Sequence, residues 1–131
     1  MKYRIIVAGN RSFDDYSLMK TKLNEYIDHI RLEDPFPDIE IISGAAIGAD
    51  KLGERYAKEH NISLKVIPAE WFVLGRRAGI VRNGQMADYA CEVENPILIA
   101  FWNGISKGTG NMIEQAKEHN MEINIVNFVE K

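Results

Sequence analysis

Cysteine is almost missing from this chain: Cys91 is the only one in 131 residues. That excludes an internal disulfide. One thiol with three scattered histidines, His29, His60 and His119, also cannot build a zinc or iron–sulfur centre, so no metal site is expected. A lone thiol suits a reducing, cytoplasmic setting. No apolar run approaches the roughly 20 residues a membrane span needs. The opening segment runs from a short apolar stretch into Gly9-Asn10-Arg11 without the small-residue cleavage site of a secretory signal, and it reads as a first buried strand. Positive charge is not in excess either. Sixteen Lys and Arg face 19 Asp and Glu, and the formal net charge of -3 gives no general attraction for nucleic acid. Any anion site must be local. Linkers and low-complexity tracts are absent, and the length suits one domain, 1–131, large enough to bury a core.

What the chain does have is a regular alternation of two patterns. Five short runs read as strands: Arg4 to Ala8, Ile39 to Ser43, Ser63 to Ile67, Ile97 to Trp102 and Ile123 to Asn127. Most are near-continuous Ile, Val and Leu, the mark of strands buried on both faces. Between them lie helix-spaced apolar stripes: Met19, Leu23, Tyr26, Ile27 and Ile30, then Ala49, Leu52, Tyr56 and Ala57, then Met112, Ile113 and Ala116. The order predicts an α/β fold, a single doubly wound domain of about five parallel strands with helices on both faces. An internal echo supports the boundaries: Ala57-Lys58-Glu59-His60-Asn61 recurs as Ala116-Lys117-Glu118-His119-Asn120, each before a strand-like run. Both read as helix ends, with Lys and His at the negative end of the dipole and Asn in a left-handed position. This assigns His60 and His119 to capping; His29 sits on a helix with no motif. Two segments break the rhythm, a surface connection from Arg31 to Asp38 and a longer loop from Pro68 to Gly79.

In an open parallel sheet, ligands bind beyond the carboxyl ends of the strands, where helix N-termini offer free N–H groups. The segments there are Gly9-Asn10-Arg11, Ser43 to Asp50, Trp71 to Asn83 and Asn103 to Gly110. Gly44 and Gly48 would let backbone approach a phosphate or sugar, with Ser43 as a donor, or would merely turn the chain. Lys107-Gly108-Thr109 repeats that context with a cation and a hydroxyl added. Neither loop is a Walker loop or a dinucleotide fingerprint. Arg11, Arg76, Arg82 and Lys107 fall on the same edge, where an Arg fork can grip phosphate, while Arg77 reads as solvated. Asp50 either offsets a helix dipole or holds a ribose hydroxyl. Trp71 and Trp102 either pack at the rim or stack on a base. Glu114 reads as surface charge and Cys91 as an inert helix-end residue.

These residues resemble the YspA, cpYpsA-related family of the SLOG superfamily, which groups the DprA (Smf) proteins with the LOG cytokinin-activating enzymes. The similar segments are Val7-Ala8-Gly9-Asn10-Arg11, Ser43 to Asp50, Pro68 to Trp71 with Gly75-Arg76, Ala78 to Met86, Ile99 to Gly104 and Lys107 to Thr109. The resemblance implies a Rossmann-like fold that binds a nucleotide-derived small molecule. The implied ligand-binding residues are Gly9, Asn10, Arg11, Ser43, Gly44, Gly48, Asp50, Trp71, Arg76, Arg82, Asn83, Lys107, Gly108 and Thr109. No cofactor and no catalytic residue are implied. LOG enzymes hydrolyse nucleoside monophosphates at the N-glycosidic bond with a Glu three residues after a Gly-Thr. Here that position is Met112, which places binding ahead of LOG-like phosphoribohydrolase activity. Glu114, two residues on, is turned roughly 200° around the helix and cannot substitute. DprA-like single-stranded DNA binding is a further alternative, disfavoured by the net charge. The resemblance also implies a homo-oligomer formed through the helix from Gly79 to Ala90, with Ile80, Val81, Ala87 and Tyr89 as its apolar surface.

Overall fold

The computed structural model describes residues 1–130. Five strands, β1 (Lys2–Gly9), β2 (Asp38–Ser43), β3 (Ser63–Val66), β4 (Asn95–Trp102) and β5 (Glu122–Asn127), form one parallel sheet in the order β3-β2-β1-β4-β5. This is the doubly wound, Rossmann-like arrangement. The chain lays β2 and β3 to one side of β1, then crosses to place β4 and β5 on the other. The switch point lies between β1 and β4, whose carboxyl ends meet where Gly9 pairs with Phe101.

The near-continuous apolar runs have a direct cause. On β1, Ile5 and Val7 face one layer and Ile6 and Ala8 the other, and all four are buried. Helices α1 (Tyr16–Glu33) and α2 (Ala49–Glu59) cover the first face with Met19, Leu23, Ile27, Tyr56 and Ala57. Helices α4 (Ala78–Ala90) and α5 (Lys107–Glu118) cover the second with Met86, Ala87, Ala90, Met112, Ile113 and Ala116. Each large side chain so buried contributes about 1.5–3 kcal/mol, which fixes the central strands firmly. The edge strands β3 and β5 are largely exposed and contribute less.

The repeated pentapeptide ends two helices in the same way. His60 and His119 occupy the C-cap positions, each ring Nδ1 bonding a carbonyl one turn back, on Tyr56 at 2.9 Å and Gln115 at 2.8 Å. Asn61 and Asn120 follow in left-handed conformation, φ 54° and 56°.

Two boundaries differ from the expected ones. The connection expected from Arg31 begins later, because α1 continues through the good helix formers Arg31, Leu32 and Glu33. It stops at Asp34, whose N–H bonds Ile30 O at 3.0 Å, just before Pro35. The long loop before α4 is likewise partly ordered, into a one-turn helix α3 (Trp71–Leu74) and a 3₁₀ turn over Gly75–Arg77. On α4, Ile80 and Val81 are exposed as expected, but Ala87 is fully buried. Tyr89 lies under the Arg4 guanidinium and donates to Glu40 at 2.6 Å. Neither offers an interaction surface. Among the described residues no helix is long and apolar enough to cross a membrane.

Candidate functional site

A cavity of about 560 Å³ opens at the switch point. Its walls come from the end of β1 and the following turn, from α3, from the first half of α4 and from the N-terminus of α5. Of the fourteen residues singled out in the sequence, eleven line it: Gly9, Asn10, Arg11, Asp50, Trp71, Arg76, Arg82, Asn83, Lys107, Gly108 and Thr109. Ser43, Gly44 and Gly48 stand behind the wall. Arg77 is exposed and outside it.

The turn after β2 is braced at three of its N–H groups. The Ala45 N–H donates to Ser43 Oγ at 3.1 Å, the Ala46 N–H to Asp50 Oδ2 at 3.1 Å and the Ala49 N–H to Asn10 O at 3.2 Å. Ser43 Oγ donates to Glu54 Oε2 at 2.7 Å, and Ser43 is fully buried. Gly48 has φ +85°, and a side chain there would collide with the backbone carbonyls of Asn10 and Arg11. It is glycine because two turns touch at that point. Gly44 is flanked by Arg82 Nη1 and Asp50 Oδ2, and its carbonyl accepts a bond from Arg82.

The turn after β4 is arranged differently. Asn103 Oδ1 accepts the N–H groups of Ile105 at 2.9 Å and Ser106 at 3.0 Å, and Asn103 N–H donates to Asn10 Oδ1 at 3.2 Å. Ser106 is the N-cap of α5, its Oγ accepting from the Thr109 N–H at 3.4 Å. The remaining first-turn N–H groups, on Lys107 and Gly108, have no intrahelical acceptor and lie at the cavity wall. Asn83 Nδ2 holds α5 in place through Gly108 O at 3.3 Å and Asn111 Oδ1 at 3.1 Å. Trp102, whose stacking was an open alternative, lies behind this turn: its Nε1 donates to Ser106 O at 3.0 Å.

The cavity is electropositive. Arg11, Arg76, Arg82 and Lys107 line it against a single carboxylate, Asp50. Burial pushes the Asp50 carboxyl up to about 6, a rise restrained by the Ala46 N–H and the charges of Arg82 and Arg11 and aided by Glu54. Burial likewise lowers Arg82, while Asp50 opposes that. Asp50 Oδ1 makes no hydrogen bond to the described residues, and no buried side-chain polar atom lacks a partner, so this oxygen is open to the cavity. Apolar surface comes from Met86, Met112, Ile80 and Trp71. Met112 is 1% exposed and stands where the resemblance would put a catalytic Glu. Glu114 points to solvent beside Lys117 at 3.7 Å.

Sequence reasoning missed Ser106, Asn111, Met86 and Ile80 on the wall. Ser106 carried a readable signal, a serine directly before a helix start. The others show themselves only once α4 and α5 are placed side by side.

The family model described as the YspA, cpYpsA-related SLOG family matches residues 3–72, from β1 into α3. The chain is also 26% identical over 133 residues to the Gene 61 protein of Mycobacterium phage D29, covering 98% of each chain. No solved structure matches. A match that spans more than half of the chain, from within β1 through β3, shows that the chain belongs to the YspA, cpYpsA-related SLOG family.

Proposed function

We propose that this chain binds a nucleotide or nucleotide-derived ligand, of the nucleoside monophosphate or ADP-ribose type, and serves to sense or sequester it. Family membership suggests nucleotide-related binding or processing. The observation that carries the finer reading is the charge layout of one cavity: four cationic side chains and an uncapped pair of α5 N–H groups against one carboxylate. A phosphate fits against Lys107, Gly108 and Thr109, with the Arg76 side chain on the open side. The open oxygen of Asp50 suits a ribose hydroxyl. A volume of about 560 Å³ lies within the range of roughly 300–1,000 Å³ usual for small-molecule sites. Ser43, Gly44 and Gly48 act as the frame that holds Asp50 and Arg82.

Thermal unfolding with AMP, ADP-ribose, NAD and cyclic nucleotides tests this. At least one should raise the melting temperature, and Lys107→Ala should abolish the rise. No stabilisation by any of them overturns the reading.

Hydrolysis of the N-glycosidic bond ranks second because, with Met112 on the wall, α5 brings no carboxylate to the cavity, and Asp50 is the one acid lining it. Release of free base from AMP would promote it. Binding of single-stranded DNA ranks third, since a net charge of -3 gives no general attraction for nucleic acid; a steep salt-dependent gel shift would promote it. The lone cysteine accords with a cytoplasmic place of action. Two copies pair through the exposed Ile80 and Val81. Sedimentation equilibrium of wild type and Ile80→Asp checks this.

A further inference from the structure

Trp71 is set in the cavity wall in an unusual way. It begins α3, a single turn with no buried residue, and α3 packs mainly against the 3₁₀ turn and α4 that follow it. Phe72 and Val73 beside it face solvent, and the turn at Gly75 has nothing near it. The hydrogen bonds of α3 are local, from Val73 and Leu74 N–H to Glu70 O. Trp71 itself is half exposed, and its indole N–H makes no hydrogen bond to the described residues. Its ring rests beside Gly79, where a Cβ would lie 3.6 Å from the ring edge. Across the cavity mouth, the Arg11 guanidinium carbon stands over the Trp71 face, 5.8 Å from the ring centre.

That distance is informative. Direct guanidinium–aromatic stacking would close to about 3.5–4 Å, and a flat ring placed between the two groups needs about 7 Å. At 5.8 Å from the ring centre the guanidinium carbon is beyond direct stacking and within cation–π reach, and a ring taken between the two groups needs them to part further. Both sides can give: α3 is held by local contacts, and the Arg11 side chain is long and exposed, although its backbone follows Asn10, which is tied to Phe101 O, Ala49 N and Phe13 N.

We propose that Trp71 and Arg11 form a jaw that opens to take a planar aromatic ring between them, so that the ligand of this cavity carries a nucleobase or a similar heteroaromatic group. This rests on the cavity being an anionic-ligand site. An aromatic face on one side and a guanidinium plane on the other suit a base in a sequence-tolerant way, because every base presents a π-face. The phosphate end then reaches the α5 N-terminus across the apolar floor made by Met86 and Met112.

The test compares AMP and ADP-ribose with ribose 5-phosphate, which keeps the anion and lacks the base, by calorimetry on the full chain. The base-bearing probes should bind about tenfold tighter or better. Trp71→Ala should remove that advantage and Trp71→Phe should keep most of it. Indole fluorescence should change on AMP addition in the wild type and not in Trp71→Phe, which retains Trp102. Equal binding of AMP and ribose 5-phosphate to wild type, or undiminished preference in Trp71→Ala, overturns the jaw and leaves the anion site standing. Failure of all three probes to bind overturns the anion site and the jaw with it.

Discussion

The turns after β2 and after β4 start from the same materials, a hydroxyl residue and glycines leading into a helix, and differ in whether a carboxylate of the chain itself folds over them. In the first, three N–H groups are taken, Ala45 by Ser43, Ala46 by Asp50 and Ala49 by Asn10, while those of Asp50 and Lys51 in the first turn of α2 have no acceptor among the described residues. In the second, Asn103 and Ser106 cap the turn and leave the Lys107 and Gly108 N–H groups at the cavity. The contrast turns on one helical position. The second residue of α2 is Asp50, whose carboxylate folds back over its own loop; the second residue of α5 is Gly108, with nothing within 4 Å of where its side chain would be. A turn that supplies its own anion becomes a frame. A turn without one is left to bind an anion from outside.

The largest expected effect comes from breaking the frame. Gly48→Ala forces a side chain into φ +85° and onto the Asn10–Arg11 backbone, and should cost roughly 3–5 kcal/mol in chemical denaturation. A cost under 1 kcal/mol would show that the two turns are not locked together. The next effect is the frame's own charge. The Asp50 carboxyl sits at about 6 in the folded chain against an ordinary 3.8. Between those values the unfolded chain has released the proton and the native one still holds it, so stability falls as pH rises from about 4 to about 6 and is level above. Measured as the difference between wild type and Asp50→Asn, the fall should be on the order of 2–3 kcal/mol. The difference matters because Asp34, Glu59 and Glu94 are held low by their hydrogen bonds and pull the other way. A wild-type–variant difference that does not vary with pH would show that Asp50 is ordinary.

This contrast was only half legible in the sequence. Strand positions, the parallel sheet and the cavity's place at the strand ends follow from apolar runs and their alternation with helix-spaced stripes, which are local patterns. Lys107 reaches the cavity because it opens a helix after a strand and a Gly-rich turn, and Arg82 because it lies in the early turns of α4. What stayed hidden depends on contacts between distant segments. Whether the loop from Ser43 to Asp50 has N–H groups to offer is decided by Asn10 O, 39 residues before Ala49, and by a carboxylate that could equally have faced solvent. Two glycine-rich turns therefore look alike in sequence. The extension of α1 to Glu33 was hidden for a different reason: Pro35 and Pro37 draw attention to the break, while the helix runs right up to it.

Smaller effects probe the open turn. Ser106→Ala removes the acceptor for the Thr109 N–H and should cost about 1 kcal/mol of stability. It should also weaken AMP binding by misplacing the α5 first turn. Loss of stability with affinity unchanged would detach the cap from the site.

The smallest change in stability should accompany the sharpest change in binding. Gly108→Asp puts a carboxylate at the α5 position that corresponds to Asp50 in α2. There is room for it, since nothing lies within 4 Å of the Cβ position, and a negative charge in a helix's first turn contributes about 0.3–1 kcal/mol. Replacing glycine in a helix adds a similar small gain. The melting temperature should hold or rise by a few degrees. Binding should be lost, because the new carboxylate competes for the Lys107 side chain and the free N–H groups and repels an incoming phosphate. Gly108→Asn, nearly the same in shape and without the charge, separates the two causes: it should retain most of the affinity if charge decides and lose it if space does. A Gly108→Asp chain that binds AMP like wild type would place the phosphate somewhere other than the α5 N-terminus, and the distinction between a frame and a mouth would have to be redrawn around Arg11 and Arg76.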